Sequence, residues 1–179
     1  MENYSYFCGK RCEGQLSPDR KAFMIKFIGE HTAKIDDKGR LVLPSAFKSI
    51  MSDGGNQDMR LVIKKDIYEA CLVMYTYEEW SRESEELKSS LNFFNREHEM
   101  FWRQYMRDRA LVEPDGKLGR ISIPKKLLDA IGVQKEVVFY GSDHKIEIWA
   151  KENFASSEIS NEDFVSLAGN IFGHDRGGR

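Results

Sequence analysis

Apolar residues recur along this chain in two series that match position for position. In the first, Leu41 and Leu43 alternate with Arg40 and Val42, and Pro44 closes the run; in the second, Ile121 and Ile123 alternate with Arg120 and Ser122 before Pro124. Alternation of this kind marks a short half-buried strand. After each proline comes a helical pattern, PSAFKSIM and PKKLLDAIG. Pro44 and Pro124 suit the first helical position, where a missing N–H is not felt, and Gly132 suits a helix C-cap. An apolar β-type run follows in each copy, RLVIKK and EVVFYG, and then a second, Cys71–Tyr75 and Lys145–Trp149. Each copy next starts a helix that carries an aromatic, Trp80 or Phe154. Each half therefore predicts strand, turn, strand, short helix, strand, turn, strand.

Two copies are too few for a solenoid, and one such unit is too small to bury a core alone. The pattern predicts an α+β fold in which two small half-domains pair about a pseudo-twofold axis. Residues 24–80 and 111–154 are the two halves. Residues 81–110 read as a helical connector, with Phe94, Phe101, Trp102 and Tyr105 near helical spacing and Met106 beside them. That stripe is expected to pack on the strands or on a neighbouring subunit. Residues 155–179 hold a short amphipathic helix (Phe164, Val165, Leu167, Ala168, Ile171, Phe172) and a Gly-rich tail. Residues 1–23 show no period and read as a disordered extension.

Charge changes this picture only locally. The net charge is −2, from 27 Lys and Arg against 29 Asp and Glu, which does not advertise a nucleic-acid partner. Yet Lys34, Lys38, Arg40 and Lys48 gather at the first repeated stretch, and Lys117, Arg120, Lys125 and Lys126 at the second. Acidic residues gather between them, from Glu78 to Glu99. Local field, rather than net charge, steers a polyanion.

Other chemistries find little footing. His31, His98, His144 and His174 are scattered, and neither an HExxH nor a GxSxG motif is present. Gly54-Gly55 reads as a turn and no phosphate-cradling glycine loop occurs. Cys71 lies inside an apolar run and reads as core. Cys8 and Cys12 lack the further ligands that zinc needs, and the odd cysteine count argues against a disulfide-stapled domain. No apolar run approaches the roughly 20 residues of a membrane helix, and the first residues lack a secretory signal's apolar stretch. The expectation is a cytoplasmic protein, no enzyme, with no cofactor, no metal, no membrane and no small-molecule substrate.

The two turns carry the chemistry that remains. In DDKGRLVLP, Arg40 projects from the sheet beside the turn, and Asp36 is placed to accept from its guanidinium across the hairpin. Taken alone, such a pair reads as a solvated salt bridge contributing about 0–1 kcal/mol. Repetition alters that reading, because equivalent arginines in pseudo-symmetric halves would lie on one surface. An arginine fork suits both phosphate and the guanine edge, and a two-stranded ribbon can enter the major groove.

The motifs F-I-G-x5-I-D-x-K-G-R-x3-P (Phe27 to Pro44), D-I-Y-E-A-C-L-x2-Y (Asp66 to Tyr75) and E-P-D-G-K-L-G-R-I-x-I-P (Glu113 to Pro124) resemble the MraZ family of bacterial transcriptional regulators. The resemblance runs from about Met24 to Phe154. It implies two AbrB-like swapped-hairpin half-domains, each a small β-barrel, and assembly into a homo-oligomeric ring. It also implies binding to direct repeats of double-stranded DNA upstream of the division and cell-wall gene cluster, and hence association with the nucleoid. By resemblance, the DNA-binding residues are Asp36, Lys38, Gly39 and Arg40 in the first loop and Gly119 and Arg120 in the second. Lys34, Lys117 and Lys125 join them as neighbouring cations. The second loop departs from the pattern: Asp115 stands five residues before Arg120, and Gly116 takes the minus-four position. Either the Asp–Arg pairing is lost there or a bulge at Gly116 restores it. The rival expectation is an oligomeric scaffold, or an antitoxin-like partner binder, that does not touch DNA.

Overall fold

The computed structural model describes residues 25–53, 58–116 and 118–173. The extension 1–23, the turn at Gly54-Gly55, Lys117 and the Gly-rich tail lie outside the described residues. The first half comprises β1 (Phe27–Lys34), β2 (Arg40–Val42), α1 (Ser45–Asp53), β3 (Leu61–Lys65) and β4 (Cys71–Thr76). Two helices follow, α2 (Tyr77–Ser89) and α3 (Arg96–Met106). The second half repeats the order with β5 (Ala110–Val112), β6 (Arg120–Ser122), α4 (Lys125–Ala130), β7 (Glu136–Asp143) and β8 (Lys145–Ala150), then the short α5 (Lys151–Phe154) and α6 (Asn161–Gly173).

Local chemistry fixes the helix ends. Thr76 caps α2 by accepting from the Glu79 N–H at 3.2 Å, and Asn95 caps α3 by accepting from the Glu97 N–H at 2.8 Å. Gly132 closes α4 as expected: its N–H bonds to the Asp129 carbonyl, and the Val133 N–H to the Leu128 carbonyl. The prolines stand one residue earlier than expected. Pro124 keeps an extended ψ of 132° and precedes α4, its carbonyl accepting from Leu127 and Leu128.

The main sheet is antiparallel with strand order β1-β7-β8-β4-β3-β5, and β2 and β6 form a separate two-stranded ribbon. This order is a palindrome of the repeat. The first strand of each half pairs with the third strand of the other, and the fourth strands meet at the centre. The registers agree residue by residue. Leu41 opposes Ile121, its own equivalent, in the ribbon, and Val73 opposes its equivalent Glu147 in the sheet. A pseudo-twofold axis passes through both pairs. The expectation of two small barrels is corrected by this topology. Each half supplies too few strands to close on itself, so the halves share one open sheet whose edges are β1 and β5.

One sheet face packs under the ribbon and the helices α1 and α4. Leu41, Ile121, Phe47, Ile63, Leu72, Phe139 and Ile148 are all fully buried there. Burying each such side chain stabilises the fold by about 1.5–3 kcal/mol. Cys71, Val73, Tyr75, Val138 and Trp149 form a second cluster on the opposite face, covered by Trp80 and Phe154. Both faces of β4 are thus buried, which explains its unbroken apolar run. Cys71 is core, as expected, and burial pushes its thiol up to about 12. The connector docks through Tyr105, whose hydroxyl lies 3.3 Å from the Lys64 ammonium and donates to Glu83 at 3.2 Å. The rest of the aromatic stripe is more open, and Phe94 is fully exposed.

Candidate nucleic-acid interface

The ribbon β2-β6 presents two faces. Leu41 and Ile121 point into the core, while Arg40, Val42, Arg120 and Ser122 point away from it. Arg40 opposes Ser122, and Val42 opposes Arg120. The two arginines therefore stand on one diagonal of the outward face, about 7–8 Å apart at the backbone. This juxtaposition is the one that the repeat predicts.

The first loop is built around Asp36. Its backbone N–H donates to the Arg40 carbonyl at 3.0 Å, and its carbonyl accepts from the Gly39 N–H at 2.9 Å. One carboxylate oxygen accepts from the backbone N–H groups of Lys38 and Arg40 at 2.9 and 2.8 Å. The other accepts from the Arg40 side chain, at 2.8 Å from Nε and 2.7 Å from a terminal nitrogen. This two-point fork fixes the direction of the guanidinium. The Arg40 side chain first, and then the Arg40 and Lys38 N–H groups, hold the Asp36 carboxyl down at about 2. Gly39 makes the turn possible at a φ of +72°, and Gly119 repeats it at +65°.

The second loop keeps half of this arrangement. The Asp115 N–H donates to the Arg120 carbonyl at 2.9 Å, as Asp36 does to Arg40, and its carbonyl accepts from Gly119 at 3.0 Å. Its carboxylate accepts from the backbone N–H groups of Leu118 and Arg120 at 3.2 and 3.0 Å. The loop is one residue longer, yet the backbone bonds of the first loop recur in it. It does not restore the fork: among the described residues the Arg120 guanidinium has no hydrogen-bonded partner. The Arg120 N–H, then that of Leu118, lower the Asp115 carboxyl, and the charges of Arg120 and Arg40 both add to this. The charge of Arg40 thus reaches across to the second loop.

The surrounding cations fall into two sets. Lys38 and Lys125 are exposed, and Lys34 is 83% exposed with only a loose contact to Glu136 at 3.9 Å. Lys126 is engaged by Asp108, and Lys117 lies outside the described residues. Lys48 is a residue that the sequence reading counted as local charge but did not place in the site. Its side chain runs over the second loop, with Cδ 3.3 Å and Nζ 3.5 Å from where a Cβ on Gly119 would stand. Only the pairing of the two halves brings it there. Its signal lay in the repeat, because Lys48 occupies the place of Leu128, which lies beside Gly39. Among the described residues no cluster of His, Cys, Asp and Glu could hold a metal ion. No helix of the described residues is long and apolar enough to cross a membrane.

A family model described as "MraZ protein, putative antitoxin-like" matches residues 26–104 and 107–167, one stretch for each half. A protein of Bacteroides fragilis named transcriptional regulator MraZ is 43% identical over 129 residues, covering 72% of this chain and 80% of the relative. A protein of the same name from Bacteroides thetaiotaomicron is 38% identical over 141 residues, covering 79% of this chain and 88% of the relative. Another from Lachnoclostridium phytofermentans is 36% identical over 140 residues, covering 78% and 92%. Matched in both repeats and at this identity over most of each chain, the protein belongs to the MraZ family.

Proposed function

We propose that this protein is a transcriptional regulator that binds double-stranded promoter DNA, without a catalytic step or a cofactor. The observation that carries the reading is the diagonal pair Arg40 and Arg120 on the outward face of a two-stranded ribbon. A ribbon of this width can enter a major groove, and arginine can bridge phosphate oxygens or a guanine edge. Asp36 and Gly39 position Arg40, and Gly119 positions Arg120. Lys34, Lys38, Lys117 and Lys125 supply phosphate contacts that set position rather than sequence. The exchange of strands between halves supports the AbrB-like swapped-hairpin description. One subunit offers few contacts, so a homo-oligomeric ring on tandem repeats upstream of the division and cell-wall genes supplies avidity. The protein then works at the nucleoid.

The test is a fluorescence-anisotropy titration on duplex DNA from the gene's own upstream region. Arg40→Ala should weaken binding about ten- to a hundredfold, the loss of one bidentate contact of about 1–3 kcal/mol. Mass photometry should show an unchanged oligomer. Wild-type affinity in Arg40→Ala across a salt titration would show the loop assignment to be wrong. Absence of any wild-type binding at low salt, with the oligomer intact, would favour the scaffold or partner-binding reading.

A further inference from the structure

Beside the ribbon, on the β1 side, runs a groove of about 630 Å³ whose lining includes His31, Lys34, Val42, Ser45, Lys48 and Leu118. Its floor is the flank of the ribbon, one wall is the edge strand β1, and the other is the start of α1. Two ammonium groups face it. The Lys34 side chain is largely in solvent, and Lys48 is held over Gly119, where any side chain would crowd it. The first turn of α1 carries no acidic residue, so its N–H groups add to the positive field.

The other side of the pseudo-twofold axis is different. Asp36 and Asp115 make the same backbone bonds, so counting back pairs Lys34 with Glu113. Counting forward from the prolines pairs Lys48 with Leu128, which is buried. One flank of the ribbon thus carries two cations where the other carries a carboxylate and an apolar side chain. The other flank has cations of its own, with Lys125 in the place of Ser45 and Lys38 in the place of Leu118. The backbone is symmetric, and the cations stand at different places on the two flanks.

We infer that this groove is the seat of one sugar–phosphate strand of the bound duplex, with Lys34 and Lys48 each contacting a phosphate. The inference rests on the DNA-binding reading and adds Lys48 to its contacts, beside Lys34. The backbone of the duplex lies against the β1 flank of the ribbon.

Salt dependence separates this from the arginine contacts. Each phosphate contact contributes about 0.9 to the slope of log K against log salt concentration. Lys48→Leu, which installs the residue found at Leu128, and Lys34→Gln should each flatten the slope by about 0.9 per engaged subunit. Both should lose the same fold in affinity on the upstream duplex and on a scrambled duplex, because phosphate carries no sequence. Lys88→Gln on α2 controls for bulk charge and should leave the slope unchanged. Circular dichroism melts and mass photometry check that each variant folds and assembles. Wild-type slopes in Lys34→Gln and Lys48→Leu, with binding still weakened by Arg40→Ala, would overturn the groove and leave the DNA reading standing. An equal flattening in Lys88→Gln would overturn it as well. A wild-type protein that binds neither duplex removes both.

Discussion

Replacing Glu83 by methionine should destabilise the protein more than replacing Lys64 by methionine, although the two side chains share one ion pair. Lys64 points from β3 to the outer side of the sheet, where its ammonium meets the Glu83 carboxylate at 2.8 Å. It also stands 5.0 and 4.9 Å from the ring centres of Tyr75 and Tyr105. Its side chain is 10% exposed, whereas that of Glu83 is 32% exposed. Removing Glu83 strands a cation with little water and one hydroxyl. Removing Lys64 leaves a carboxylate that water still reaches and that Tyr105 still serves. A stranded charge in a dry site costs about 3–5 kcal/mol, and partial access reduces this to about 2–3 kcal/mol for Glu83→Met. Lys64→Met should cost about 1 kcal/mol or less, the scale of a partly solvated pair. The double variant should recover part of the loss, because a methionine pair leaves no charge behind. Equilibrium urea unfolding at one fixed protein concentration measures all three. A Lys64→Met loss equal to or larger than that of Glu83→Met would refute the reasoning from unequal burial.

Two further outcomes follow from the loops and the sheet joint. The Asp36 carboxyl, held at about 2 against an ordinary 3.8, should titrate near that value in a carbon-detected NMR titration and move up in Arg40→Ala. Its folded value is depressed, so its contribution to stability is complete above the ordinary value and is lost as pH falls through about 2. Gly141→Ala should lower the melting temperature sharply: its new Cβ would lie 2.6 Å from Ile28 N and Phe27 C, which are backbone atoms that cannot turn aside. The expected loss is about 1–3 kcal/mol or more. Gly116→Ala, with nothing within 4 Å, is the matched control and should melt like wild type.

The order of elements was legible because each half repeats the same local signals: alternation before a proline, a short helix after it, then two apolar runs. Strand pairing was not. Nothing in the alternation of Phe27–Lys34 says that its partner is Glu136–Asp143 rather than a neighbour in its own half. Sheet closure was likewise beyond local signals, and the small barrels gave way to one open sheet. At the site, Asp36 and Arg40 could be paired from their spacing because both lie on one hairpin. Asp115 could not, since keeping the backbone bonds while losing the fork depends on the path of the longer loop. Lys48 escaped for a related reason: its partner loop is contributed by the other half. Lys64 sat unremarked in RLVIKK, because a buried lysine needs a carboxylate from another element to be foreseen.

The exchange of first strands between halves also governs when the sheet can form. Lys26 and Asp143, bonded beside the joined ends of β1 and β7, are 117 residues apart in the chain. Contacts that distant slow folding, since the loop must close before the pairing rewards it. During synthesis β1 emerges early and has no partner until β7 is complete, and β2 waits in the same way for β6. The hairpin of β3 and β4 can form at once, and β5 can join it. A nascent chain stalled before Glu136 therefore carries an unpaired apolar edge, with its ribbon set on half a sheet. The ribbon gains its full support only as the last strands arrive.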